Sequence, residues 1–102
     1  MEEELKDYVV YKLDLESEEF IEINPEGKLL IDLLNSNSVL IFLDQLSKTL
    51  WLWHGSEAEP RLKFIAARKS SNLRDRIAID YKISAIDEKT EPDEFKLLVG
   101  LD

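Results

Sequence analysis

His54 is the only histidine in this 102-residue chain, and Asp44, Ser47 and Ser56 lie close to it in sequence. Acid, imidazole and serine are the side chains of a hydrolytic triad, in which the acid orients the base that takes the serine proton. Ser47 or Ser56 with His54 and Asp44 meets that description on paper; the simpler expectation is an exposed histidine at a strand end. The stretch DEKTEPDE, Asp87 to Glu94, offers carboxylates to a cation but lacks the ligand spacing and glycine of a calcium loop, so it reads as a solvated acidic loop. Trp51 and Trp53 alternate within TLWLWH and would suit stacking on a ligand, yet tryptophans on a central strand usually belong to the core. There is no cysteine, which removes thiolate metal sites and disulfides, and none of the three glycines forms a phosphate loop. No nucleophile, base and orienting group converge, so an enzyme is not expected.

The elements that position these residues must fit one core. A chain of this length, 44% hydrophobic and 34% charged, forms a single globular domain over residues 1–102, with an acidic tail at 1–6. A net charge of −9 argues against nucleic acid, whose affinity for proteins comes mainly from cations on phosphates. The start MEEELKDY has neither the basic residues nor the apolar core of a signal peptide, and no apolar run is long enough to span a membrane. A cytoplasmic protein, monomeric rather than oligomeric, is expected. The charge is uneven: acids dominate from Glu2 to Glu26 and from Asp87 to Glu94. RLKFIAARKSSNLRDR, Arg61 to Arg76, instead sets Arg61, Lys63, Arg68, Lys69, Arg74 and Arg76 against Asp75 alone.

Alternating segments at Tyr8–Asp14 and Glu18–Asn24 predict a hairpin turning at Leu15–Glu18, followed by a turn at Asn24–Gly27. KLLIDLL is a short helix or an irregular apolar segment, broken by NSNS. Val39–Asp44 and Thr49–His54 are apolar on both faces and joined by a short turn, the pattern of two central antiparallel strands. From Ser56 the period changes. Ala58, Leu62, Ile65, Ala66, Lys69 and Leu73 mark one stripe of a helix of about four turns, with Pro60 in its first turn and Ser56 or Glu59 as cap. Arg76–Ile86 alternates as a further strand. Thr90 and Asp93 have capping-box spacing before a short helix that Gly100 ends. This is an α+β domain with a mixed five-stranded sheet between one long and one short helix.

VLIFLD, a turn, LWLWHG, a helix carrying AA, a strand and TEPDEF together resemble the gelsolin/villin repeat. That repeat has a strand ending Leu-Asp, an aromatic strand ending Trp-x-Gly, a long helix and a late Glu-Pro before a short helix. VYKLDLESEEFIEI resembles its opening hairpin, and SNLRD followed by a strand and TEP resembles the second repeat of gelsolin. The likeness runs from about Tyr8 to Leu101 and implies a fold related to ADF/cofilin.

The resemblance implies actin binding, severing or capping, usually with calcium-linked activation. The family holds calcium through a Gly-Asp pair opening the strand at Val39–Asp44, a glutamate on the long helix and a later backbone carbonyl. Here the pair falls on Ser38 and Val39 and the glutamate on Leu62, so the usual carboxylates are absent unless Glu59 or a residue of Asn35–Ser38 substitutes. No cofactor is assigned from the residues, and calcium stands only as what the resemblance implies, with its usual carboxylate ligands missing.

The family's main actin contact is the long helix. On a helical wheel Phe64 lies almost opposite the buried stripe, with Ala67, Arg68 and Ser71 beside it and Arg61 at the edge. An aromatic flanked by arginines has the composition of an interface hot spot, although single exposed apolar residues are common. The leading reading is a domain that binds an actin or actin homologue, sequestering monomers or capping filament ends, as implied for short gelsolin-like proteins of archaea with actin homologues. The alternative is a gelsolin-fold interaction module with a non-actin partner.

Overall fold

The computed structural model describes residues 9–25 and 29–101. The acidic tail over residues 1–6 and the second half of the turn expected at Asn24–Gly27 lie outside the described residues. β1 (Val9–Leu13) and β2 (Phe20–Ile23) form the expected hairpin. Its turn is organised by Asp14, whose carboxylate accepts the Ser17 N–H and whose carbonyl accepts the Glu18 N–H, both at 2.9 Å. Glu18 stands at φ 58°, in the left-handed region that glycine enters without steric cost.

A single 3-10 turn, Leu30–Leu33, leads to β3 (Val39–Asp44), which pairs with β4 (Thr49–His54) over their full length. α1 (Pro60–Ile77) then carries the chain to β5 (Lys82–Asp87), and α2 (Asp93–Val99) closes the domain. The sheet order is β2-β1-β3-β4-β5, antiparallel except for the β4–β5 pair. β3 is the central strand, in agreement with its apolar side chains on both faces.

The two faces bury separate clusters. Ile41, Leu50 and Leu52 pack under Leu62, Ile65 and Leu73 of α1. Leu40, Phe42, Trp51 and Trp53 pack under Phe95 and Val99 of α2. The strand alternation of period two therefore sends both tryptophans to the α2 side. Phe95 meets Phe42 and Trp51 edge-on, with ring centroids 5.4 and 5.9 Å apart.

Two local expectations are corrected, and that for the α1 cap is met in position but without a side-chain bond. α1 extends to Ile77, taking residues that the alternation assigned to the strand. β5 starts at Lys82 because Lys82 pairs with Thr49, the first residue of β4, and Ile77–Tyr81 would face no strand residue. The α1 cap is Glu59 with no side-chain hydrogen bond, and Pro60 follows at the first helical position, where its missing N–H costs nothing. No capping box forms at α2. Pro92 is the cap residue, and the Thr90 hydroxyl instead donates to the Asp87 carbonyl at 3.3 Å. Gly100 ends α2 at φ 85°, as the sequence predicts.

Candidate protein-interaction surface

α1 is amphipathic in the expected register. Leu62, Ile65, Ala66, Ser70 and Leu73 are buried, whereas Phe64 is 78% exposed. Ala67 and Arg68 are exposed beside it and Ser71 is half-buried, so the helix brings these four residues to one outer face. Arg74 and Arg76 in the last turn suit the helix dipole, whereas the first turn has no acid to do the same, and α1 is left positively charged.

The cations of this helix are not equivalent. Arg61 Nη1 donates to Glu18 Oε2 at 2.9 Å, and its Nε stands 3.7 Å from Glu59 Oε1. Lys69 Nζ donates to Glu19 Oε2 at 2.8 Å, which holds the Glu19 carboxyl below its ordinary range. Arg74 pairs with its neighbour Asp75 at 3.2 Å. The acidic hairpin thus neutralises one edge of the basic helix. Among the described residues Arg68, next to Phe64, is in no salt bridge. Arg61 joins Phe64 at the rim of this face with its charge already answered, a distinction that needs the tertiary contact with Glu18 and is not visible in the sequence.

The paper triad does not assemble. The β3–β4 register places Asp44 opposite Thr49 and His54 opposite Val39, at opposite ends of the strand. The Asp44 carboxylate accepts the Trp51 indole N–H at 3.1 Å and the Ser47 N–H at 3.4 Å. Burial pushes the Asp44 carboxyl up, but these hydrogen bonds outweigh it and leave it below its ordinary value. His54 is buried rather than exposed, because β4 is flanked on both sides and its last residue lies between Val39 and Asp87. Its Nδ1 is 3.5 Å from Asp87 Oδ1; burial lowers its pKa, against the pull of Asp87.

The acidic loop is also not simply solvated. Glu91 is buried and accepts the Trp53 indole N–H at 2.9 Å, and Glu88 accepts the Ser56 N–H at 2.7 Å and the Ser36 hydroxyl at 2.9 Å. Both carboxylates are structural acceptors: Glu91 satisfies a buried indole donor, and Glu88 joins two connections nearer the surface. The tryptophans that Glu91 and Asp44 serve are core residues, as expected.

The residues at the positions implied for calcium do not fit the ion. Val39 and Leu62 are buried in the apolar cluster beneath α1. The carbonyls of Asn35, Ser36 and Ser38 already accept N–H groups from Ser38, Glu57 and Gly55, and the Asn35 side chain accepts the Asn37 N–H at 2.9 Å. Glu59 is exposed beside Arg61. Among the described residues no three His, Cys, Asp or Glu side chains gather to hold a metal, and no helix is long and apolar enough to cross a membrane.

A five-stranded mixed sheet with one long helix on one face and a short helix on the other, joined in this order, defines a gelsolin-like domain. No protein-family model matches the sequence, and no curated protein matches it. Among solved structures the chain is similar to Thorarchaeota ProGel, solved as a complex with rabbit actin, at 26% identity and a TM-score of 0.79, over 92% of this chain and 100% of that one. It is also similar in fold to Thorarchaeota 2DGel3, likewise solved with rabbit actin, at 21% identity and a TM-score of 0.65. That match covers 93% of this chain and 48% of the 2DGel3 chain, so the present chain spans about half its length.

Proposed function

We propose that this domain binds actin or an actin homologue through the outer face of α1, sequestering monomers or capping a filament end. The observation that carries the reading is Phe64, 78% exposed on a helix whose other large apolar side chains near it face the core, with Arg68 beside it. Removing such an aromatic from water repays a partner, and an arginine at its flank directs an acidic surface onto it. The similarity to ProGel, solved with rabbit actin, supports actin as that partner. Arg61, Ala67 and Ser71 complete the contact face. The function is binding without covalent chemistry, carried out by a cytoplasmic monomer that needs no cofactor.

Pyrene-labelled rabbit actin provides the test. The domain slows polymerisation, in stoichiometric amounts if it sequesters monomers and in substoichiometric amounts if it caps ends. Phe64→Asp weakens the effect about tenfold or more while leaving the melting temperature nearly unchanged. An inert wild-type domain, or a Phe64→Asp variant as active as wild type, overturns this reading and favours a module with another partner.

A further inference from the structure

Three connections meet where β3 begins and β4 and β5 end: the Asn35–Ser38 turn, the segment from Gly55 into α1, and the loop after β5. Gly55 N–H donates to the Ser38 carbonyl at 2.9 Å, Glu57 N–H to the Ser36 carbonyl at 2.8 Å and Glu88 N–H to the His54 carbonyl at 2.9 Å. The approach is so close that a Cβ on Gly55 would overlap the Ser36 carbonyl, so only glycine fits there. Across this junction the Glu88 carboxylate divides its two oxygens between two connections. Oε1 takes the Ser56 N–H at 2.7 Å and Oε2 the Ser36 hydroxyl at 2.9 Å. One side chain on the third connection therefore ties together the other two, just before the chain enters α1.

A cation coordinated at the same end would tie the same segments, and the positions where the family resemblance places its carboxylates are filled here by Val39 and Leu62, both in the core. We propose that Glu88 is a positioning residue that does the cross-linking by hydrogen bonds alone, setting the start of α1 against the sheet, so that partner binding by this domain does not depend on calcium. The partner half of this statement rests on the actin reading above; the cross-link itself does not. A carboxylate is well suited to the task because it offers acceptors in two directions and its hydrogen bonds are charge-assisted.

Two measurements test it. Thermal melts of the wild-type domain in millimolar calcium and in EGTA coincide; a rise of several degrees with calcium overturns the proposal without reference to any partner. Binding of rabbit Mg-ATP-actin is then compared in the same two buffers, below the melting transition, for wild type, Glu88→Ala and Glu88→Gln. Wild-type affinity is the same in both. Glu88→Ala loses several-fold in affinity, and Glu88→Gln is close to wild type because its amide accepts the Ser56 N–H and donates to the Ser36 hydroxyl. Full affinity in Glu88→Ala overturns the positioning role, and loss of affinity in Glu88→Gln equal to that in Glu88→Ala overturns the cross-link as its cause. Phe64→Asp, measured alongside, separates these results from failure of the actin reading: if it binds as wild type does, that reading fails, and melts of Glu88→Ala and Glu88→Gln beside wild type still decide the cross-link, which requires a lower midpoint for Glu88→Ala than for Glu88→Gln.

Discussion

Trp53 donates its indole N–H to Glu91 Oε2 at 2.9 Å, with the tryptophan 1% and the glutamate 8% exposed. The other carboxylate oxygen accepts the Lys89 N–H at 3.0 Å, so one acid closes the β5–α2 loop over the core. Glu91→Ala leaves a buried donor without an acceptor, a loss of about 1–3 kcal/mol. Glu91→Gln keeps an acceptor for the indole and costs less. Urea unfolding followed by far-UV circular dichroism reads both, and an unchanged midpoint for Glu91→Ala would show that the indole finds another partner.

Glu18 sets a weak attraction against a local strain. Its pair with Arg61 is solvent-exposed on both sides, and such pairs contribute about 0–1 kcal/mol. Its left-handed backbone at φ 58° costs a residue with a Cβ roughly 1–2 kcal/mol. Glu18→Gly therefore stabilises the domain although it breaks the ion pair, and Glu18→Ala, which loses the pair and keeps the strain, does not. Equal stability of the two variants would mean that the backbone conformation carries no cost here.

The buried His54 gives the domain a pH dependence distinct from that of its acids. Burial, opposed by Asp87 on β5 and reinforced by Lys63 on α1, holds the imidazole pKa below its ordinary 6.5. The unfolded chain then binds a proton more readily than the folded one. Stability is full above that value, falls as pH drops through it and levels off below the folded pKa. Glu88, held below 4.5 chiefly by the Ser56 N–H, and Asp44, held below 3.8, lose their contributions only at lower pH. Melting temperatures of His54→Gln should thus be flatter than wild type between about pH 7 and 5, with the steeper acid fall below that range retained. Parallel curves for the two proteins across the upper window would remove His54 as the cause.

Much of this architecture is written in side-chain period. β3 and β4 have the predicted bounds because their continuous apolar runs leave no alternative to a doubly covered centre. Phe64 and Arg68 stand out because a helix with one buried stripe determines its opposite face. What periodicity cannot carry is pairing. Ile77 and Ile79 alternate with Tyr81 and Ile83 like a strand, yet no residue of β4 is left to bond them, and α1 continues to Ile77. His54 looks like an exposed strand end until β5 is laid beside it. Glu18, Glu88 and Glu91 are unremarkable acids in an acidic chain; their partners Arg61, Ser56 and Trp53 are distant in sequence, and only the fold brings them together.

The path of α1 has a mechanical consequence. It leaves β4 after His54, at one end of the parallel pair, and returns the chain to Lys82, at the other. Tension carried along this helix would pull β4 and β5 lengthwise past each other. The load would then be shared by every rung of the ladder from Thr49–Lys82 to His54–Asp87 at once, instead of opening the rungs one after another. The long helix is thus anchored where the sheet resists sliding.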